Sequence, residues 1–417
     1  MKKIFKVTAL SGLLTLLKMI MGFIIAKIIA IYTGPAGMAM LGQIQSIINS
    51  FNGIINSPVS SGIVRFTAEN HSRGYDKCSP WWRASLEWMI VLCAVLIPLG
   101  ILSSDLLSTW LLQTPDYSWT ICLIVIFLPL SALGTFIISI INGLESYRRY
   151  ITLIMISVII SSAIMVLMII YAGIRGALIA AIIQSSLIGL IMLIGNIKQP
   201  WFMLHYLWGE THSKARKDIA GYIIMAITTA ITAPLSLILV RNVIITQVGW
   251  EQAGQWQAVW KISEVYLSVI TIALGTYYLP KLSALIGSEI IIKEINRTAI
   301  YVIPFAIILA SIVYIFRDFI IHILFTPDFK PARDLFMIQL CGDVIKIASW
   351  LYAYPMLSRG ATKWYVLTEI VFAITFVAFA WLFINIVNNA HGANYAYLLN
   401  YVIYLLFILL NFKRIVR

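Results

Sequence analysis

The chain has 417 residues, 61% of them hydrophobic and 11% charged, and carries a formal net charge of +13. A soluble globular domain does not need that apolar fraction, and apolar runs of the roughly 20 residues that cross a bilayer recur along the sequence. The composition therefore indicates an all-α polytopic membrane protein, and basic loops explain the positive charge more simply than nucleic acid does.

In chain order, Lys2, Lys3 and Lys6 precede an apolar run that continues to about Ile31 and ends in Gly34-Pro35-Ala36-Gly37. With no obvious small-residue cleavage site, a retained first span near 6–31 is expected rather than a signal peptide. Further spans are expected near 38–64, 85–112, 118–142, 151–173, 176–197, 218–246, 254–279, 298–317, 333–357, 363–387 and 392–412, about twelve transmembrane helices in all. In that register 21 of the 30 Lys and Arg residues fall on one side, among them Arg65, Arg148, Arg149, Lys198, Lys281, Arg359 and Arg417. Four (Arg175, Arg317, Lys330, Arg333) fall on the other, so both termini are expected to be cytoplasmic.

The longest polar break divides the chain into a six-helix lobe at 1–198, a cytoplasmic loop at 199–217 and a second six-helix lobe at 218–417. Two similar halves are a common transporter plan, with the substrate site where they meet. Every extracytoplasmic loop is too short for an external catalytic domain. No Walker A loop occurs, and Cys78, Cys93, Cys122 and Cys341 show neither disulfide nor zinc spacing. No catalytic residue, metal or cofactor is expected.

Three polar stripes at three- and four-residue spacing run through apolar spans: Gln45, Asn49, Asn52, Asn56; Gln257, Lys261, Glu264, Ser268, Thr271; and Gln339, Asp343, Lys346, Trp350. Ionisable groups at that depth usually face a bundle interior or a watery cavity. Lys261–Glu264 and Asp343–Lys346 both have the spacing of an intrahelical ion pair. Each pair either merely neutralises itself or lines a translocation route, and a carboxylate beside a lysine is also a candidate proton site. The amides either glue helices together or meet sugar hydroxyls, and Trp350 is placed to stack on a sugar. Lys18 and Lys27 lie nine residues apart, on opposite faces of the first helix, and Lys27 and Arg241 have snorkelling as the competing reading. Five deep bases (Lys18, Lys27, Arg241, Lys261, Lys346) against three deep acids (Glu264, Asp343, Glu369) favour an anionic substrate.

Several segments carry a family resemblance: the basic, glycine-containing first helix, Tyr32-Thr33-Gly34-Pro35-Ala36-Gly37, Leu279-Pro280-Lys281-Leu282-Ser283, and the run from Arg317-Asp318 through Arg333-Asp334-Leu335-Phe336 to Gln339-Leu340-Cys341-Gly342-Asp343-Val344-Ile345-Lys346. In these the chain resembles the Wzx-type flippases of lipid-linked oligosaccharides (O-antigen or enterobacterial common antigen units), a branch of the multidrug/oligosaccharidyl-lipid/polysaccharide exporter superfamily. The resemblance implies a V-shaped, MATE-like pair of lobes in the bacterial inner membrane, moving an undecaprenyl-pyrophosphate-linked glycan to the periplasmic leaflet by alternating access. Membrane lipid and a polysaccharide polymerase or chain-length machinery are the implied partners, and nucleic acid is not one. The substrate-binding candidates are then Lys18, Lys27, Gln45, Asn49, Asn52, Asn56, Arg65, Arg241, Gln257, Lys261, Lys346 and Trp350. Glu264, Asp343 and Glu369 are candidates for ion coupling. A proton- or sodium-coupled multidrug exporter of the same superfamily is the alternative, and a membrane-embedded polymerase or ligase is a second.

Overall fold

The computed structural model describes residues 2–285 and 287–416. Arg417, counted above with the cytoplasmic charges, lies outside them, as do the side chains of Lys2, Lys3, Lys6 and Lys413. Helix follows helix, and no strand occurs among the described residues.

The first helix, α1 (Lys2–Asn56), is two helices joined at Gly34, whose φ of 64° and ψ of −167° only glycine adopts without strain. Pro35 then opens the second half, where a fixed φ and a missing N–H suit a first helical turn. Next come α2 (Ser60–Asn70), α3 (Tyr75–Leu102), α4 (Ser104–Leu112), α5 (Ser118–Gly143) and α6 (Tyr147–Asn196), the last broken at Gly173 with φ 53°. A single turn, α7 (Leu204–Leu207), leads into α8 (Ser213–Val248) and α9 (Trp250–Ala273). A π-helical stretch at Leu274–Tyr278 precedes α10 (Leu279–Ala284), α11 (Ser288–Ile315) and α12 (Arg317–Leu324). The chain ends with α13 (Phe336–Ser358), α14 (Thr362–Val387) and α15 (His391–Val416).

Nine helices among the described residues are long and apolar enough to cross a bilayer. Two of them, Leu10–Asn56 and Tyr147–Asn196, have 47 and 50 residues, twice what one crossing needs, and the glycine breaks make each into two. The remaining expected span is α9, which is 24 residues long yet carries Glu251, Lys261 and Glu264 in its apolar sequence. The spans expected from the sequence are thus present, with shifted ends. The span expected at 38–64 stops at Asn56, because Pro58 cannot donate and disfavours helical backbone at Ser57. The helices α3 and α11 start well before the expected 85 and 298, with Asp76 and Glu289 in their first turns, because a helix continues past the point where its side chains turn polar.

Two compact units result: Met1–Tyr32 with Gln43–Pro234, and Thr33–Gly42 with Leu235–Arg417. In the first, α5 is the central helix. Its Val125, Leu128, Phe136 and Ile140 are buried against Ile55, Ile63, Trp82 and Met192. In the second, Ile347 and Leu351 of α13 are enclosed by Leu267, Ile270, Ile295 and Ile408. The second unit also takes in the chain just after the Gly34 break. A Cβ on Gly254 would lie 1.9 Å from the Pro35 carbonyl oxygen, so only glycine permits that approach.

The chain between α6 and α8 is strapped to α3. Ser79 Oγ donates to the Tyr206 carbonyl at 2.6 Å, and Arg83 donates to the carbonyls of His205 and Glu210. Thr211 Oγ1 donates to Glu87 at 2.6 Å, and Arg216 grips the same carboxylate through Nε at 2.7 Å and Nη2 at 3.0 Å. Trp88 Nε1 caps the Arg216 carbonyl, and Trp81 Nε1 reaches Asp218, both at 3.3 Å. Replacing Glu87 with Ala is expected to speed tryptic cleavage at Lys214, Arg216 and Lys217 several-fold. Because the ion pair is half-exposed, thermal stability should change by only about 0.2–1 kcal/mol. Unchanged proteolysis would mean that the strap does not depend on this carboxylate.

Candidate functional site

The deep polar residues of the first unit divide by exposure. Lys18 is exposed on α1 and Lys27 is half-buried. Along the second half of α1, Gln45 Nε2 donates to Asn49 Oδ1 at 3.2 Å, and Asn49 is exposed. Asn52 Oδ1 accepts from Ser131 Oγ of α5 at 2.7 Å, a cross-helix bond of the gluing kind. Asn56 Oδ1 is buried with no hydrogen-bond partner. The stripe is therefore two amides joined to each other and two turned inward. Arg65 is exposed, bonded to Glu69 at 2.8 Å, with its guanidinium 5.6 Å from the Phe66 ring. Arg149, one of the basic residues expected on the cytoplasmic side, closes the end of α6: it donates to Asn196 Oδ1 at 2.8 Å and to the Gly195 carbonyl.

The second unit holds the denser cluster. Arg241 of α8 is 1% exposed; its Nε and Nη2 donate to Gln257 Oε1 at 3.0 and 2.6 Å, and its guanidinium lies 5.8 Å from the Trp256 ring. A snorkelling arginine would reach for the bilayer surface; this one is held in the interior by α9. One turn further along α9, Lys261 and Glu264 pair at 3.4 Å with both side chains nearly half-exposed, and Trp260 Nε1 donates to Glu264 at 3.1 Å. Ser268 and Thr271 continue the stripe, but their hydroxyls bond back to carbonyls of their own helix.

On α13 the expected Asp343–Lys346 ion pair is replaced by something else. The Asp343 carboxylate, fully buried, accepts from Tyr266 at 2.6 Å, from Tyr397 at 2.8 Å and from Gln339 Nε2 at 3.3 Å. The Gln339 carbonyl oxygen in turn accepts from Asn394 at 3.1 Å. Lys346 turns away into aromatic rings: its ammonium lies 4.9 Å from Trp350, 5.5 Å from Trp260 and Tyr401, and 5.6 Å from Tyr397. Trp350, expected to stack on a sugar, is occupied with this lysine. Glu369 of α14 is half-buried.

Sequence reasoning missed Trp260, Tyr266, Tyr397 and Tyr401. One signal was available: Tyr397, Tyr401 and Tyr404 recur at helical spacing on a single face of α15. The charge tally also changes once the units are separated. Arg241, Lys261 and Lys346 balance Glu264, Asp343 and Glu369 within the second unit, so the surplus of deep positive charge is Lys18 and Lys27 in the first.

Solved structures share the fold. The lipid II flippase MurJ in an inward closed conformation matches with a TM-score of 0.72 at 13% identity, covering 99% of this chain and 90% of that one. An inward-facing multidrug resistance MATE family transporter of the MOP superfamily matches with a TM-score of 0.71 at 12% identity, covering 95% of both chains. This chain shares the fold of these two structures. Two curated relatives are more alike in sequence. Both are named Lipid III flippase, one from Escherichia coli (strain K12) and one from Shigella flexneri, each 26% identical over 395 residues, which is 94% of this chain and 93% of the relative. No protein-family model matches the chain.

Asp343 is the acceptor on which two buried hydroxyls depend. Asp343→Ala is expected to lower the stability of the purified protein by about 1–3 kcal/mol for each orphaned hydroxyl. Asp343→Asn, which keeps one acceptor oxygen, should lose about half as much. Thermal unfolding in detergent measures both, and an Ala variant as stable as the parent would rule the network out as a structural support.

Proposed function

We propose that this protein is a flippase that carries a lipid-linked oligosaccharide from one leaflet of a membrane to the other. The observation that carries this reading is the end-to-end similarity to the lipid III flippases, on a fold shared with a lipid II flippase. In its finer form, the cargo is an undecaprenyl-pyrophosphate-linked O-unit or common-antigen unit, moved outward across the bacterial inner membrane with both termini cytoplasmic. The six-helix halves 1–198 and 218–417 act as the bodies that alternate. A polymerase or chain-length machinery would take the product.

The proposal assigns roles by what each side chain is able to reach. Lys18, Asn49, Arg65 and Lys261 have exposed or half-exposed side chains and can meet a headgroup directly. Gln45, Lys27 and Glu369 are half-buried. Asn52, Arg241, Gln257, Lys346 and Trp350 contribute only if their present partners are exchanged, and Asn56 only if its buried amide is uncovered. In this reading Glu264, Asp343 and Glu369 are the carboxylates that couple transport to a cation or proton. A pyrophosphate moving outward gains ~2.3 kcal/mol per charge for each 100 mV of inside-negative potential, which is enough to bias the flip without ATP.

The multidrug alternative draws on fold likeness at 12% identity, whereas the flippase reading draws on sequence similarity along the whole chain. The test is complementation of an Escherichia coli strain lacking its lipid III flippase. The wild-type chain should restore surface glycan and clear the accumulated lipid-linked precursor, and Lys261→Ala, although inserted normally, should restore less than a tenth as much. No restoration, together with new resistance to organic cations, would favour the drug exporter.

A further inference from the structure

Four aromatic rings form a chamber around the Lys346 ammonium. Trp260 comes from α9, Trp350 from α13, and Tyr397 and Tyr401 from α15, so three helices supply the walls. The walls brace one another: Trp260 meets Tyr397 edge-on at 5.2 Å, and Tyr397 meets Tyr401 edge-on at 4.9 Å. Outside them, Trp256 backs Trp260 at 5.2 Å and Phe376 backs Tyr397 at 6.0 Å. Two walls are also pinned by acids. The Tyr397 hydroxyl donates to Asp343 at 2.8 Å, and the Trp260 N–H donates to Glu264 at 3.1 Å. These bonds use ring edges and leave the faces open to a cation.

A cation within about 6 Å of a ring centroid is attracted by the π face, and a group of such faces is the arrangement that recognises quaternary and alkylated ammonium ions. Four centroids at 4.9–5.6 Å from one ammonium meet that description. The buried Asp343 carboxylate nearby adds to the attraction. Lys346 is three residues from Asp343 and has the reach for a direct ion pair, yet its ammonium sits among the rings.

We infer that this chamber is an alkylammonium-binding cage and that Lys346 is its tethered occupant, a specificity-determining residue that keeps free organic cations out. The tether gives Lys346 a local concentration that no dissolved ammonium matches, so the cage is closed to soluble amines as long as the lysine is present. Removing the side chain while leaving the rings should therefore convert the protein into a binder of small ammonium ions.

The test is a titration of purified wild type and Lys346→Ala with tetramethylammonium chloride against sodium chloride of equal ionic strength, read by tryptophan fluorescence, since Trp260 and Trp350 face the site. The Ala variant should show a saturable change that the wild type lacks or shows at least tenfold more weakly, and Lys346→Ala with Trp350→Ala should lose it. Lys346→Met, which refills the chamber with an uncharged side chain, should behave like the wild type. If the Ala variant folds and its response equals the wild type's, the inference is overturned. If it does not fold in sodium chloride, recovery of a monodisperse protein in tetramethylammonium chloride supports the cage, and failure to recover it overturns it. Complementation by the wild type is a separate readout, so the cage and the lipid substrate succeed or fail independently.

Discussion

A charge placed in the middle of a span costs roughly 2.5–3.5 kcal/mol on insertion scales, and the second unit is organised around meeting that cost with neutral partners. Arg241 is held by the Gln257 amide, Asp343 by two tyrosine hydroxyls and an amide, and Lys346 by four ring faces. Hydrogen bonds to a charged group are worth about 1.5–3 kcal/mol each, and a desolvated cation–π contact about 2, so each set offsets the burial of its charge. Neutral partners have a further consequence. An ion pair of opposite formal charges would bind its two members to each other, whereas an amide or a ring can release a charge without stranding another one.

This principle explains why α13 and α15 lie at the heart of the second unit. The tenth-span residues Gln339, Asp343 and Lys346 point their polar ends at α15, and Tyr397 serves two of them, by its hydroxyl to Asp343 and its face to Lys346. Gly342 between them has Tyr397 so close that a Cβ would lie 2.5 Å from the ring. Apolar packing of Ile347 and Leu351 one turn below completes the same contact. Lys261 and Glu264 are built differently, as a half-exposed pair.

Much of the fold was legible because hydropathy and charge report the membrane directly. The apolar runs located the spans, and Gly34-Pro35 located the first break. Helix ends were less legible: Asp76 and Glu289 start helices outside the apolar zone, and Pro58 ends one inside it. The stripes of Gln257-Lys261-Glu264 and Gln339-Asp343-Lys346 were visible as periodicity, but periodicity names a helix face and not what that face meets. Hence the ion pair expected at Asp343–Lys346 is real for Lys261–Glu264 and absent at the other site, where tyrosines more than fifty residues away in sequence take its place. Arg149 looked like one more basic loop residue; only the fold brings Asn196 beside it.

The most direct measurement of the central claim is leaflet-to-leaflet movement of a polyprenyl-pyrophosphate oligosaccharide in vesicles containing the purified protein as their one protein component, followed by lectin access to the outer leaflet. The account predicts protein-dependent movement without ATP, faster when a potassium gradient sets a potential that draws negative charge in the direction of transport. Movement equal to that in protein-free vesicles, at any potential, would contradict it.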